Sequence, residues 1–219
     1  PSPRYFELIE QHMKLHMQPC DRGKDVFAGQ KMLGDIGRIK EIIIETDSQS
    51  ILDYGSGKGR LYREKLISIQ DDEPLVDLYH YWGVKEVSCY DPCYPPYSIL
   101  PSGNFDGVVC IDVLEHCPEE DIHWIVRELF QFSRNFVYAN IACGEAVKLL
   151  PNGKNVHATV RHPKWWFEVF SDIAADFPTV RWVLITTRLK SKEEGLWYPV
   201  KLYRGGDGDP TEDYHLPKN

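Results

Sequence analysis

The stretch "SILDYGSGKGR", residues 50–60, changes from a short apolar run to a glycine-rich turn. Glycines at 55, 57 and 59 allow the backbone to turn tightly and to come close to a ligand. The next stretch, "LYREKLIS" at 61–68, predicts a helix whose first turn would offer free N–H groups. Residues 50–68 therefore predict a strand, a tight turn and a helix, with a ligand at the turn.

The residues around these glycines favour a cationic ligand over a pyrophosphate. Their spacing is not the Gly-x-Gly-x-x-Gly of dinucleotide-binding oxidoreductases. Asp53, just before the turn, would repel a pyrophosphate and attract a cation. A purely structural strand-to-helix turn is the alternative.

Apolar runs and amphipathic stretches alternate along the rest of the chain. The predicted strands are "VKEVSCYD" (84–91), "FDGVVCID" (105–112) and "NFVYANIA" (135–142), and the predicted helices are "EEDIHWIVRELFQFS" (119–133) and "HPKWWFEVFSDIAADF" (162–177). Buried strands that do not alternate in polarity are typical of a parallel sheet covered on both faces. We therefore predict an α/β fold with a doubly wound, Rossmann-like, mostly parallel sheet. It ends in an antiparallel strand pair, "VRWVLITTRL" (180–189) and "LWYPVKLYR" (196–204).

Three parts of the chain are predicted to differ in role. Residues 1–46 contain two helical stretches and form an N-terminal helical cap over the cleft, with Phe27, Gly29 and Lys31 near its mouth. Residues 47–204 form the α/β domain. Residues 205–219 are rich in glycine, proline and acidic residues and are predicted to be a flexible tail.

Composition limits the classes of function. The chain carries 25 Lys and Arg against 33 Asp and Glu, a net charge of −8, which disfavours a general grip on nucleic acid. The six cysteines form no Cys-x-x-Cys pair, so we expect reduced thiols rather than zinc or disulfides. No apolar run approaches the roughly 20 residues that span a bilayer, and no signal peptide is recognised at the start, so we expect a cytoplasmic location.

Acidic motifs follow each of the first three predicted strands. They are "DYGSGKG" (53–59), "DPCYPP" (91–96) and "DVLEHCP" (112–118). Because ligands of such sheets bind at the carboxyl ends of the strands, we expect these motifs to share one site.

In these motifs the chain resembles the class I S-adenosylmethionine-dependent methyltransferases. "ILDYGSGKG" matches their first motif, Asp91 matches the acid that ends their second strand, and "DVLEHCP" matches the Asp-Val-Leu-Glu-His motif of the group acting on small molecules and glycans. The resemblance covers roughly residues 48–142. In this family the fourteen-position step from Asp91 to Phe105 is too short for a helix and a strand, so we expect the third strand region to be shortened.

The resemblance implies roles for the residues at the strand ends. The glycine turn would lie against the methionine part of S-adenosyl-L-methionine, Asp91 would accept both ribose hydroxyls, and the 111–114 turn would line the cofactor beside its sulfonium. The cofactor-binding residues so implied are Asp53, Gly55, Ser56, Gly57, Gly59, Asp91, Pro92, Asp112, Val113 and Leu114. Two alternatives stay open: Asp91 as a plain turn residue before Pro92, and Asp112 and Glu115 as helix N-terminal charges.

The stretch "YDPCYPPY" (90–97) also resembles the Pro-Pro-Tyr loop of DNA amino-methyltransferases. It follows the second strand, however, and "DVLEHCP" occupies the place where that loop would act. We therefore interpret "CYPPY" as a bridge across the shortened region that walls the adenine pocket.

Methyl transfer to a hydroxyl or amine needs a group that takes a proton. The candidate bases are His116 and His157. Candidate acceptor-binding residues are Glu115, Asn155, Arg161 and Trp165, with a surface loop and core packing as the equal alternative for the last three. Glu115 and His116, being adjacent, make a poor ligand pair, so no metal is expected.

The sequence thus predicts a methyltransferase that acts on a hydroxyl, in preference to an amine, of a small-molecule or glycan-type acceptor. Three alternatives remain: an amino-methyltransferase on DNA or protein, a catalytically inactive scaffold that binds S-adenosylmethionine, and a nucleotide-dependent oxidoreductase. The oligomeric state is not predicted.

Overall fold

A seven-stranded sheet forms the centre of the protein, in the strand order β2-β1-β3-β4-β5-β6-β7. The computed structural model describes residues 1–17, 27, 29–68, 74–187, 201–205 and 211–214. The strands are β1 Ser50–Tyr54, β2 Glu86–Tyr90, β3 Phe105–Ile111, β4 Ser133–Ala142, β5 Arg181–Thr187, β6 Lys201–Gly205 and β7 Thr211–Tyr214. Strands β1 to β5 pair in parallel, while β6 and β7 pair antiparallel. The predicted fold class, including the closing antiparallel pair, is confirmed.

Helices cover both faces of the sheet. They are α1 Pro3–His16, α2 Ile36–Glu45, α3 Leu78–Trp82, α4 Ile122–Phe132 and α5 Pro163–Ala174. Along β3, Val108 and Cys110 join the core beneath α4 and α5, whereas Val109 and Ile111 join the core beneath α2 and α3. Because successive side chains of a strand point to opposite faces, burial of both faces favours apolar residues at consecutive positions, as from Val108 to Ile111. None of the helices in the described ranges has the length and apolar character that crossing a membrane requires.

The order of strands reverses at β1. The chain passes from β1 to β2 on one side and then returns to β3 on the other side. The loops after β1 and β3 therefore diverge, and such a switch point leaves a crevice at the carboxyl ends of the strands. Between β2 and β3 the only regular element is a 3₁₀ turn, Pro95–Tyr97, so the shortened third strand region is confirmed and β2 lies at the edge of the sheet.

The prediction of a helix at 61–68 is wrong. A 3₁₀ turn, Arg60–Tyr62, follows the glycines, and the chain then extends so that Ile67 pairs with Val76. This extended path buries Ile67 in the core beneath α2 and α3. The short α3 covers this face instead, with Leu78 and Trp82 buried. Tertiary packing thus overrides the local preference for a helix.

The two ends of the chain also differ from their predicted roles. Within the predicted cap, α1 covers the crevice, but α2 packs on the sheet, where Ile39, Ile42 and Ile43 are buried. Within the predicted flexible tail, Gly205 ends β6 and Thr211–Tyr214 pair with β6 as β7. The rest of that tail, and the turn of the strand pair around position 195, lie outside the described residues.

Candidate functional site

A cavity of about 640 Å³ lies at the carboxyl ends of β1, β2 and β3. Its sheet side contains ten of the residues predicted from sequence: Asp53, Gly55, Ser56, Gly57, Asp91, Pro92, Asp112, Val113, His116 and His157. The opposite side comes from α1 and the residues after it, among them Tyr5, Leu8, Ile9, His12, His16, Phe27, Gly29 and Lys31. Its volume falls in the range of small-molecule sites.

The glycine turn is shaped by the chain itself. Gly55 and Gly57 have φ of +86° and +57°, a region that favours glycine. A Cβ on Gly55 would lie 2.2 Å from the Val113 side chain, and one on Gly57 would lie 2.3 Å from the carbonyl oxygen of Phe27. The glycines therefore allow the β3 loop and the segment after α1 to close against the turn.

The predicted helix whose first turn would offer free N–H groups is replaced by the 3₁₀ turn Arg60–Tyr62, and the glycine turn itself offers none. All N–H groups from residue 55 to 59 donate within the chain: Gly55 and Ser56 to the Tyr90 carbonyl, Gly57 to Asp91, Lys58 to the Phe27 carbonyl and Gly59 to the Ser56 carbonyl. With no helix after the turn, the features that cradle a phosphate are missing here. The Ser56 side chain is buried in the cavity wall, where its hydroxyl interacts with the Cys89 thiol.

Two buried carboxyl groups flank the turn. Asp53 accepts a hydrogen bond from the Tyr62 hydroxyl at 2.9 Å, and burial raises its pKa to about 7. Asp91 accepts the N–H of Gly57 on one oxygen and the N–H of Cys93 on the other, each at 2.8 Å. Burial raises the pKa of Asp91 although these bonds lower it. Each Asp91 oxygen retains a second lone pair for a ligand.

The imidazole ring of His16, from α1, lies near Asp91 and packs against two aromatic rings. The Nε2 of His16 lies 3.9 Å from an Asp91 oxygen, and the His16 ring packs on Phe27 and Tyr94 with centroids 4.6 and 5.5 Å away. Cys93 lines the cavity, but the described lining does not include Pro95 or the residues up to 97. Of the stretch "CYPPY" (93–97) that was predicted to wall the adenine pocket, only Cys93 lines the cavity.

Three histidines from different segments meet at the other end of the cavity. The Nδ1 of His116 lies 3.0 Å from the Val156 carbonyl, and the Nδ1 of His157 lies 2.6 Å from the Gly144 carbonyl. His12 of α1 places its Nε2 3.4 Å from the Nδ1 of His116. A carbonyl accepts only, so both Nδ1 atoms carry the proton and both Nε2 atoms keep a lone pair. Burial, with the other two histidines, lowers the pKa of His116 to about 3, which makes it a weak base at neutral pH.

Asp112 completes this cluster. Its φ of +59° is uncommon for a residue with a side chain, and strained residues concentrate at functional sites. One ligand atom each from Asp112, His116 and His157 lies within 4.8 Å of the others, so these residues could hold a metal ion together. The prediction that no metal binds considered only adjacent residues.

A comparison of the chain with models of protein families gives no match, and a comparison with curated protein sequences gives none either. The resemblance to class I methyltransferases therefore rests on the three motifs in the sequence.

Three of the predicted cofactor and acceptor residues are packed away from the cavity. Leu114 and Glu115 are completely buried, and Gly59 lies against Tyr97 and Cys89. One Glu115 oxygen accepts the N–H of Ala142 at 2.6 Å. Burial, and then the charge of Asp112, raises the pKa of Glu115 to about 8. Glu115 thus supports the site rather than lining it.

The other three predicted acceptor residues lie in a surface loop or pack against neighbouring side chains, which is the alternative to acceptor binding given above. The amide of Asn155 bonds both the N–H and the carbonyl of Ala146. Arg161 is exposed and holds Glu119 through two hydrogen bonds. Trp165 is half-buried and packs edge-on against Trp166. These three side chains are not part of the described cavity wall.

Sequence reasoning missed the polar contribution of α1. His12 and His16 both line the cavity. Their spacing of four residues places them on one helical face, which is the signal that could have found them. That they face the "DVLEHCP" motif depends on how α1 docks, which local sequence does not specify.

Proposed function

We propose that the chain is an S-adenosyl-L-methionine-dependent methyltransferase that methylates a hydroxyl of a small-molecule or glycan-type acceptor. The observation that carries the proposal is the meeting of all three motifs at one cavity, at the switch point of the sheet. Asp53 and Asp91 present buried carboxyl groups there, while the turn between them has no free N–H group. Such a site favours a cationic ligand over a pyrophosphate, which argues against the oxidoreductase alternative.

The residues present fit the cofactor in three respects. The spare lone pairs of Asp91 suit a pair of ribose hydroxyls. Burial raises the pKa of Asp53 to about 7, and a nearby ammonium group would stabilise its ionised form. Val113 and Ile111 give the adjoining wall an apolar surface.

When bound, S-adenosylmethionine supplies a methyl group on a positively charged sulfur, ready for displacement by an oxygen. The protein's part is to hold the acceptor close, to exclude water and to receive a proton. The α1 helix covers the cavity and so limits access of water. Burial lowers the pKa of His116 to about 3, which leaves it little affinity for a proton, so His157, whose Nε2 keeps a lone pair, is the remaining candidate base.

Calorimetric titration with S-adenosylmethionine and S-adenosylhomocysteine tests the proposal. We expect both to bind the wild-type chain, and Asp91→Asn to weaken binding at least tenfold by removing the charge that accepts two hydroxyls. At saturation near 100 times Kd, either ligand should add about 2.7 kcal/mol to the free energy of unfolding.

Asp106→Asn is the matched control, because Asp106 lies in β3 away from the cavity and bonds the backbone N–H groups of Gln49 and Ser50. It should bind both ligands as the wild type does. Absence of binding to the wild-type chain, or binding of NAD in their place, would contradict the proposal. Binding without turnover on any acceptor would favour the inactive scaffold.

A further inference from the structure

The cluster of Asp112, His116 and His157 is built like a metal site. Its three ligand atoms lie within 4.8 Å of one another. Around a tetrahedral ion with bonds of about 2.1 Å, ligand atoms stand roughly 3.3 Å apart. Closing the difference takes movements of about 1–2 Å, which rotation of a carboxylate side chain can supply.

The hydrogen bonds behind both imidazoles match those of metal-binding histidines. Such histidines donate the proton of one ring nitrogen to a carbonyl or carboxylate and bind the metal through the other nitrogen. Here Nδ1 of His116 donates to Val156 and Nδ1 of His157 donates to Gly144. Both Nε2 lone pairs are thereby fixed for a ligand, and His12 backs the His116 ring from α1.

Two acidic oxygens without a described donor, one on Asp112 and one on Glu115, give a second indication of a cation. Among the residues that the structure describes, none donates a hydrogen bond to the Asp112 side chain, which lines the cavity. Next to it, the second oxygen of Glu115 is buried without a partner in a side chain that is completely buried. An acidic oxygen buried without a donor is costly, and a cation held by the neighbouring Asp112 would offset part of that cost for Glu115.

We propose that Asp112, His116 and His157 bind one divalent transition-metal ion, with its open positions toward the cavity. Two imidazoles and one carboxylate suit zinc, cobalt(II) or iron(II), whereas magnesium and calcium prefer oxygen ligands alone. This site replaces the expectation that no metal binds. It lies next to the glycine turn, because Val113, adjacent to Asp112, packs on Gly55.

The role of the ion in catalysis rests on the proposed function. A divalent ion lowers the pKa of a hydroxyl that it binds. The acceptor's O–H bond would break with its proton going to water, while the new C–O bond forms and the C–S bond breaks with its electron pair left on sulfur. His157 would then serve as a ligand to the ion, and no histidine would be needed as a base.

Cobalt(II) titration of chelator-treated protein, without cofactor, tests the site. We expect one Co²⁺ per chain, with a visible absorption band that Zn²⁺ abolishes and Mg²⁺ does not. His157→Ala and Asp112→Asn should each weaken Co²⁺ binding at least tenfold, as should His116→Gln. His123→Ala is the control, since His123 is exposed on α4, and it should bind as the wild type does.

The inference is overturned if the wild type binds no Co²⁺, or if His157→Ala and Asp112→Asn bind it equally well. Circular dichroism identifies variants that fail to fold, and His116→Gln then gives the same comparison. The titration contains no S-adenosylmethionine, so Co²⁺ binding without cofactor binding would refute only the proposed function. Cofactor binding without Co²⁺ binding would refute only the metal site.

Discussion

At the scale of single residues, the cavity concentrates carboxyl groups that are costly to ionise. Burial raises the pKa of Asp53, Asp91 and Glu115, and each has hydrogen-bond donors that offset only part of the effect. A folded protein retains such groups at the expense of stability. A cationic ligand at this cavity would recover part of that loss.

We expect Asp53→Asn to remove a pH dependence of stability. An unfolded Asp ionises near pH 4, whereas Asp53 in the folded protein ionises only near pH 7. Because the folded-state pKa is the higher one, the contribution of Asp53 to stability is complete below pH 4 and is lost as the pH rises to about 7. Between pH 5 and 8, urea unfolding should show the wild type losing roughly 2–3 kcal/mol relative to Asp53→Asn.

Asp106→Asn is the control, because the pKa of Asp106 is shifted downward whereas that of Asp53 is shifted upward. Its hydrogen bonds to the N–H groups of Gln49 and Ser50 lower the pKa of Asp106. Its contribution is therefore lost only at acidic pH, below the usual range of an Asp, and Asp106→Asn should differ from the wild type by a constant amount from pH 5 to 8. Parallel curves for Asp53→Asn and the wild type would show that Asp53 is not the source of the dependence.

At the scale of elements, hydrogen bonds join the start of α1 to the start of α4. The Ser2 hydroxyl accepts the N–H of Tyr5 and so caps α1, while the N–H and hydroxyl of Ser2 donate to Asp121, just before α4. Asp121 also accepts from the indole N–H of Trp124. Further along, Leu8 and Leu15 form a small apolar cluster with Leu150 and Val156, separate from the two sheet cores. The Tyr5 ring also packs edge-on against Trp124 of α4, with centroids 5.4 Å apart, so the Ser2–Asp121 hydrogen bonds are one part of the attachment of α1.

We expect Asp121→Ala to loosen α1 and leave the sheet unchanged. Loss of the carboxylate removes the anchor of Ser2, so local opening of α1 should become easier by about 1–2 kcal/mol. Hydrogen exchange should accelerate roughly tenfold or more in α1, with β3 and β4 unaffected. Glu120→Ala, at the exposed neighbouring position, should leave exchange in α1 as it is. An equal acceleration across the sheet would mean that Asp121 stabilises the whole fold instead.

Elements differ in how far sequence could predict them. Strands β1 to β4 and helices α4 and α5 were predictable because their periodicity and burial agree. The segment at 61–68 was not, because its apolar residues also fit an extended path that buries Ile67. Likewise, α1 and α2 have similar amphipathic sequences, and only their docking shows that α1 covers the cavity while α2 packs on the sheet.

At the scale of the whole molecule, the net charge of −8 bears on partners. Phosphate backbones bind mainly to excess positive charge, and the motifs that line the cavity contribute Asp53, Asp91 and Asp112. The alternative function as an amino-methyltransferase on DNA would need a local basic surface to overcome this charge.

We therefore expect no measurable binding to a short labelled DNA duplex at about 0.15 M salt, followed by fluorescence anisotropy. A basic DNA-binding protein of similar size would serve as the positive control. Binding that weakens steeply with salt would revive the DNA alternative.

The sequence by itself determined the class of the sheet and the acids at the strand ends, because the apolar periodicity of strands is a local pattern. The order of the strands, and with it the position of the switch point, depends on tertiary pairing. Only the tertiary structure decided which side chains meet. His12, His116 and His157 come from three distant segments, and their approach depends on the docking of α1 and of the loop after β4. It also decided that Asn155, Arg161 and Trp165 turn to neighbours outside the cavity, since side-chain direction is set by packing against residues far away in the chain.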